Sequence, residues 1–230
     1  MRLLLSACLL PALAGCSSSK STSPTSTLPL ANASSELLIF PAAASDLKGL
    51  LPSGWEPFQF EKIPRKTSYT VALDDGQLAV LARAESSASA IRRQVKIDPV
   101  ATPEISWAWK VEAALEGADL SSKTGDDCAA RLLLIYGKYP LLNMLVYAWV
   151  GSRESAEVLP SPYSGRVKVI PIRRGNADAG GWHTEHRNHL DDFRKAFGAE
   201  PTAIEAVAIM TDTDNTSAKA IAWWRSVRFK

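Results

Sequence analysis

Short runs of β type dominate the chain after residue 35. In residues 105–111 every second side chain is apolar, which is the period of a strand with one buried face. Residues 129–136 and 142–150 are apolar at nearly every position, as is typical of strands covered on both faces. Further runs of β type occupy residues 37–40, 69–73, 77–84, 91–97, 167–172, 182–187, 204–211 and 220–229.

One segment has helical spacing instead. Leu190, Phe193 and Phe197 recur at intervals of three and four, and Gly198 follows as a stop signal. A βαβ fold would need helices between the strands, and the pattern predicts none there. About ten strands and one helix near 190–197 therefore predict an all-β fold, an antiparallel β-sandwich of jelly-roll type.

The N-terminus has the pattern of an export signal. Residues 3–13 are almost wholly apolar, a length that suits a signal-peptide core and is too short to span a bilayer. Leu13-Ala14-Gly15-Cys16 follows and resembles the bacterial lipobox, in which the cysteine becomes the lipidated N-terminus. The alternative is a secreted protein cut near Ala14. Ser17, where inner-membrane lipoproteins usually have Asp, favours the outer membrane, facing the periplasm.

These features divide the chain into three parts: a signal peptide (1–15), a lipidated Cys16 with a disordered tether (16–35), and one β-sandwich domain (36–230). Ser, Thr and Pro fill 13 of the 19 positions in 17–35, a composition that cannot bury enough apolar surface to fold. The net charge is +2 and becomes +1 when Arg2 leaves with the signal. So small a charge excludes a strongly basic nucleic-acid-binding protein.

Cys128 has no partner once Cys8 is removed and Cys16 carries lipid. No disulfide is therefore predicted. A reactive nucleophile is one interpretation of this cysteine. We favour the other, a small buried side chain without chemistry.

Two acids precede a predicted strand that contains a cation. Asp126 and Asp127 stand before it, and Arg131 lies within it on the same face as Leu133 and Ile135. A buried arginine needs a carboxylate partner, because an unpaired charge in a dry interior is costly. The group is either a salt bridge that fixes the loop or a pair of carboxylates lining a pocket.

A second acidic group follows the apolar strand 204–211. Asp212, Asp214 and Asn215 offer oxygen ligands suited to Ca²⁺ or to sugar hydroxyls, although the loop lacks the spacing of an EF-hand. A solvated turn capped by these side chains explains the pattern equally well. We predict that Asp126, Asp127, Arg131, Asp212 and Asp214 form one polar cluster at one end of the sandwich, with Ca²⁺ as an optional ligand of Asp212 and Asp214.

The chain contains seven tryptophans. Aromatic rings in strands usually pack in the core, but they also form platforms for sugar rings. Trp107 is predicted to be buried, and one of Trp109, Trp223 and Trp224 is predicted to face solvent. Trp109 is the candidate placed in the binding site.

The motifs together resemble the bacterial domain-of-unknown-function family 3047. The similarity begins near Trp55 and is most specific at Met210–Thr216; the other matching segments are Ser106–Val111, Gly125–Asp127 with Arg131, Tyr163–Lys168, Glu185 with Arg187, Asp192-Phe193 and Phe197-Gly198. The resemblance implies a galactose-binding-like jelly roll, as in carbohydrate-binding modules, and no established activity.

The leading hypothesis is a non-catalytic, lipid-anchored envelope protein that binds a saccharide or similar polar ligand. The alternatives are a carboxylate-dependent hydrolase and a structural partner in an envelope complex. No catalytic residue or cofactor is assigned. The candidate binding residues are Trp109, Asp126, Asp127, Arg131, Lys168, Glu185, Asp212, Asp214 and Asn215.

Overall fold

The computed structural model describes residues 37–38 and 51–230, which form two packed β-sheets and one helix. The predicted signal peptide (1–15) and tether (16–35) lie outside the described residues. The strands in chain order are β1 (Leu37–Leu38), β2 (Trp55–Phe58), β3 (Ser68–Asp74), β4 (Gln77–Glu85), β5 (Ala88–Ile97), β6 (Glu104–Val111), β7 (Cys128–Tyr136), β8 (Asn143–Val150), β9 (Leu159–Ser161), β10 (Ser164–Arg174), β11 (His183–Asn188), β12 (Ile204–Asp212) and β13 (Lys219–Phe229).

The first sheet has the strand order β11-β6-β13-β4-β3, with β1 beside β13. The second sheet has the order β2-β5-β12-β7-β8-β10-β9. Neighbouring strands are antiparallel, apart from the parallel pair β8 and β10. This arrangement confirms the predicted all-β sandwich.

The core lies between the sheets and is rich in aromatic side chains. Trp107 on β6 stacks on Tyr147 of β8, with ring centroids 4.9 Å apart, and Trp109 packs beside Trp149 at 5.8 Å. Trp224 of β13 is buried in the same core. The alternation predicted for residues 105–111 is confirmed, because its apolar positions all face the second sheet.

Strand β7 is buried at every position, as its sequence, apolar apart from Arg131, predicts. One face of β7 meets the core, and the other carries a second apolar cluster that includes Leu133, Ile135 and Val146. The second sheet therefore has apolar side chains on both faces in the region of β7 and β8.

Helix α1 (His189–Phe197) confirms the helical prediction. Asn188 caps its N-terminus by accepting from the Asp191 amide at 2.9 Å, and Gly198 ends it with a positive φ of 64°. Phe193 anchors the helix in the core, so α1 packs against the sandwich. Within the described residues, no helix has the length and apolarity needed to cross a bilayer.

Candidate functional site

A buried ion-pair network lies where β7 begins and β12 ends. The Arg131 Nη2 atom is 2.9 Å from both Asp126 Oδ1 and Asp212 Oδ2, and its Nε donates to Asp212 Oδ1 at 3.0 Å. The side chains of Arg131, Asp126 and Asp212 are each at least nine-tenths buried. Arg131 thus has two carboxylate partners, one from the preceding loop and one from the neighbouring strand.

Asp127 joins the same network to the loop after β12. It accepts from the backbone amide and side-chain amide of Asn215 at 3.2 and 3.1 Å. The backbone amide and hydroxyl of Thr216 both donate to its other oxygen at 2.6 Å. Four donors to one buried carboxylate hold Asn215 and Thr216 against the start of β7.

The oxygens of Asp127, Asp212 and Asp214 converge to within 4.8 Å of one another. The structure therefore brings together the five side chains predicted to cluster: Asp126, Asp127, Arg131, Asp212 and Asp214. We refer to these five as the acid–arginine cluster. Donors of the chain already serve two of these acids: Asn215 and Thr216 donate to Asp127, and Arg131 donates to Asp212.

The acid–arginine cluster contains more negative than positive charge, and the pKa values reflect this. Burial raises the pKa of Asp212 to about 8; Arg131 opposes the shift, while Asp126, Asp127 and Asp214 reinforce it. Burial and the neighbouring Asp127 also raise the pKa of Asp214. Each carboxylate that remains ionised here repels the others.

This repulsion makes stability depend on pH. Folding raises the Asp212 pKa from its ordinary 3.8 to about 8, so this group's contribution to the unfolding free energy falls as the pH rises through that range. Asp214→Asn removes one repelling charge and lowers the Asp212 pKa. We expect the variant to be more stable than the parent at pH 8 by about 1 kcal/mol, and unchanged at pH 4.

Urea unfolding at the two pH values measures this difference. Asp75→Asn, in the exposed turn between β3 and β4, is the matched control and should behave like the parent at both. Loss of stability in Asp214→Asn at pH 8, accompanied by a drop in melting temperature on chelation, would instead indicate that Ca²⁺ holds the acids together.

Cys128 lies beside the acid–arginine cluster and is buried, as predicted. Its Sγ donates to the carbonyl of Trp149 at 3.0 Å. Burial raises the pKa of the thiol to about 12. A thiol held in its neutral form is a poor nucleophile, which supports the interpretation as a buried side chain without chemistry.

Three of the candidate residues do not join this cluster. Trp109 is fully buried, which corrects its placement in a binding site: it lies on the inward face of β6, and its Nε1 donates to Glu185 at 3.0 Å. Glu185 also accepts from Arg173 Nε at 2.5 Å. Lys168 on β10 lies level with Leu145, whose side chain enters the core, so it is on the opposite face of the sheet from Arg131.

A different set of side chains gathers on the outer face of the first sheet. Trp223 of β13 is the partly exposed tryptophan of the three considered, and it is in register with Lys110 of β6. Lys110 Nζ lies 4.4 Å from the centroid of the Trp223 ring and 5.5 Å from that of Trp182. The guanidinium carbon of Arg225 lies 3.7 Å from the centroid of Trp182. Two tryptophan rings and two cations thus share one surface.

Asp74 completes this set and reveals the shape of the surface. It accepts from Lys110 Nζ at 2.5 Å and from Trp182 Nε1 at 2.6 Å. Asp74 ends β3 and Trp182 directly precedes β11, yet β3 and β11 are at opposite ends of the strand order. The outer face must therefore curve strongly for these two side chains to meet. We call Asp74, Lys110, Trp182, Trp223 and Arg225 the aromatic–cation trough.

Two electrostatic features of the trough are relevant to ligands. Burial opposes ionisation of Asp74, but the donors Lys110 and Trp182 and the charges of Lys110 and Arg225 outweigh it and lower the pKa of the carboxyl. The Nη1 atom of Arg225 is buried and has no acceptor among the described residues. The trough therefore contains a satisfied carboxylate and an unsatisfied guanidinium nitrogen.

The profile of the DUF3047 family, described as a protein of unknown function, matches residues 53–228. The chain belongs to this family. No curated protein matches it.

Solved structures similar to this DUF3047 protein include carbohydrate-binding modules and glycoside-hydrolase domains. One is the family 11 carbohydrate-binding module of the cellulosomal cellulase Lic26A-Cel5E of Clostridium thermocellum, at 12% identity and a TM-score of 0.46, covering 86% of this chain and 95% of that one. A β-1,2-glucanase from Parabacteroides distasonis has 11% identity and a TM-score of 0.46, over 84% and 24% of the two chains. The xyloglucanase domain of NopAA from Sinorhizobium fredii, in complex with cellobiose, has 10% identity and a TM-score of 0.41, over 77% and 99%.

Sequence reasoning identified only one member of the trough in this DUF3047 protein. Trp223 and Trp224 are adjacent in a strand, so one of them had to face away from the core. Lys110 and Arg225 gave a similar signal, since each is a cation next to a buried tryptophan and thus points outward. The sequence gives no signal for Trp182 and Asp74, because the contact between them depends on the strand order and curvature of the sheet.

Proposed function

We propose that this protein is a lipid-anchored envelope protein whose β-sandwich binds a saccharide in the aromatic–cation trough. The observation that supports this most is the pairing of two partly exposed indole rings, Trp182 and Trp223, with charged hydrogen-bonding groups on one curved surface. Indole rings offer flat apolar faces for the C–H faces of sugar rings. A few placed polar groups then fix the orientation of the ligand.

The acid–arginine cluster supports a structural role rather than a binding one. Its carboxylates are directed at Arg131 and at the loop donors of Asn215 and Thr216, and Asp126, Asp127 and Asp212 are buried. A ligand would have to replace charge-assisted hydrogen bonds that the chain already makes. We therefore place the saccharide on the first sheet and assign the cluster to holding the loops together.

The geometry gives the hydrolase alternative little support. A glycosidase needs two carboxyl groups facing each other across an open cleft. Asp126 and Asp212 are instead tied to Arg131, and Glu185 is tied to Arg173.

The envelope-partner alternative would need a broad exposed apolar patch. The large apolar side chains that are more than half exposed in the described residues are Leu73, Val100, Tyr139 and Leu141. Only Tyr139 and Leu141 lie close together in sequence, in the connection between β7 and β8. This scatter favours a small-ligand site over a protein interface.

Membrane attachment through Cys16 is the second half of the proposal, and it is supported by the N-terminal sequence. Residues 3–13 form the apolar core of a signal peptide, and Leu13–Cys16 matches the lipobox pattern. The Ser- and Thr-rich segment 17–35 follows Cys16 and separates it in sequence from the sandwich.

A glycan array probed with the full chain in neutral detergent tests the binding proposal. For any glycan retained, we expect Trp223→Ala to weaken binding about tenfold or more, because a buried aromatic contact contributes over 1 kcal/mol. Trp182→Ala should act in the same direction, and Trp223→Phe should retain part of the affinity. Isothermal titration gives the affinities, and circular dichroism verifies that each variant is folded.

Tyr139→Ala is the matched control, since Tyr139 is an exposed aromatic residue in the second sheet's connection between β7 and β8. It should leave binding unchanged. Undiminished binding by the Trp182→Ala/Trp223→Ala double variant would remove the trough from consideration, and loss of binding in Tyr139→Ala would move the site to the other sheet.

A further inference from the structure

We propose that the saccharide bound in the aromatic–cation trough is acidic, specifically a glycan bearing carboxylate groups, such as a uronate polymer. This inference rests on the proposed function and specifies the class of ligand. The supporting observations are the salt bridge between Lys110 and Asp74 and the buried Arg225 Nη1 atom that has no acceptor among the described residues.

Lys110 and Asp74 satisfy each other within the trough. Their salt bridge is 2.5 Å long, and both side chains are mostly buried, with 12% and 19% exposed. The indole of Trp182 adds a second donor to Asp74. The only carboxylate of the trough is therefore neutralised within it, and it offers little repulsion to an incoming anion.

Arg225 is the cation of the trough that makes no salt bridge in the described residues, although its charge helps to lower the pKa of Asp74. Its guanidinium stacks on the Trp182 ring at 3.7 Å, and its buried Nη1 has no acceptor among the described residues. A buried donor that makes no hydrogen bond is costly, and a ligand acceptor would remove that cost. The planar guanidinium fork matches the geometry of a carboxylate, to which it can donate two parallel hydrogen bonds.

The neighbouring strand adds positive charge. Arg83 is exposed on β4 between the buried Ala82 and Ala84, which places it on the outer face with the trough. Glu85, two residues further along that face, is already paired with Lys219 at 2.8 Å. An acidic polymer stacked on the tryptophans would thus meet Arg225 inside the trough and Arg83 beside it.

A pair of probes that differ only in charge tests this inference. Oligogalacturonate and its fully methyl-esterified form share ring and linkage, and they are titrated against the full chain in neutral detergent. We expect the acid form to bind at least tenfold tighter at about 0.05 M NaCl, with the gap shrinking at about 0.5 M as salt screens the charges. Arg225→Gln should abolish the preference for the acid form.

Lys96→Gln is the control, because it removes one exposed positive charge from β5 of the second sheet. It should preserve the preference. Equal binding of both forms, lost in Trp223→Ala, would overturn the acidic class while leaving the proposed function intact. Failure of both forms, with no neutral glycan bound either, would overturn both. Tighter binding of a sulfated glycan than of the uronate would also overturn the assignment to carboxylates.

Discussion

Arg131→Met should destabilise the protein by about 3 kcal/mol, the cost of leaving buried carboxylates without their cation. The side chain of Arg131 is 8% exposed and is the only cation contacting Asp126 and Asp212 in the described residues. Methionine fills a similar volume, so the loss reports charge rather than a cavity. Urea unfolding at pH 7 measures it.

Arg92→Met provides the comparison. Arg92 pairs with Glu56 at 2.8 Å in the same sheet, but their side chains are 33% and 50% exposed. An exposed pair contributes at most about 1 kcal/mol. Equal losses of unfolding free energy in Arg131→Met and Arg92→Met would show that water reaches the acid–arginine cluster. Conversely, Arg131→Met/Asp126→Asn should recover part of the lost stability, because it removes the Asp126 carboxylate that Arg131→Met leaves without its cation.

The sheets could be predicted because most strands carry their own signal. Strand β6 alternates and β7 is apolar apart from Arg131, so both can be recognised without knowing their neighbours. Strands β2 and β9 were missed for a common reason: they are short and contain Pro57 and Pro160. Both lie at edges of the second sheet, where a residue without an N–H is tolerated. Proline therefore removes the sequence signal of two short edge strands without preventing them from forming.

The acid–arginine cluster was predictable from one physical requirement. Arg131 stands among apolar neighbours in a buried strand, so it needed a carboxylate, and the pairing of β7 with β12 supplies Asp212. Lys168 and Glu185 were included by resemblance to the family, and their positions depend on strand order that the sequence does not reveal. In the structure, Lys168 lies on β10 and Glu185 on β11, so neither residue reaches the acid–arginine cluster.

The aromatic–cation trough is harder to predict from the sequence than the acid–arginine cluster. Its five residues come from β3, β6, β13 and the segment before β11, which are distant in sequence. Alternation determines which way Lys110, Trp223 and Arg225 point. Only the curvature of the whole sheet brings Asp74 to Trp182. Sites on one strand can be predicted from periodicity, whereas a site spanning the sheet requires its topology.

Cys16→Ser should move the protein almost entirely from the membrane fraction to the soluble periplasmic fraction. The side-chain hydroxyl cannot take the place of the thiol that carries the lipid, and each buried CH₂ of an acyl chain contributes about 0.8 kcal/mol to membrane binding. Two acyl chains hold a protein stably, so their loss leaves nothing comparable in the described residues, where no helix could span the bilayer.

The sandwich itself should be unaffected, with the same melting temperature and the same glycan affinity in the released protein, because Cys16 precedes the tether and lies far in sequence from the core strands. Cys8→Ser is the matched control: it alters the apolar part of the signal peptide and leaves Leu13–Cys16 intact, so the protein should stay in the membrane fraction. Immunoblots of separated inner membrane, outer membrane and periplasm measure the distribution. Cys16→Ser protein that persists in washed outer membranes would show that something other than the lipid attaches the chain, and the aromatic–cation trough would then need testing as the anchor.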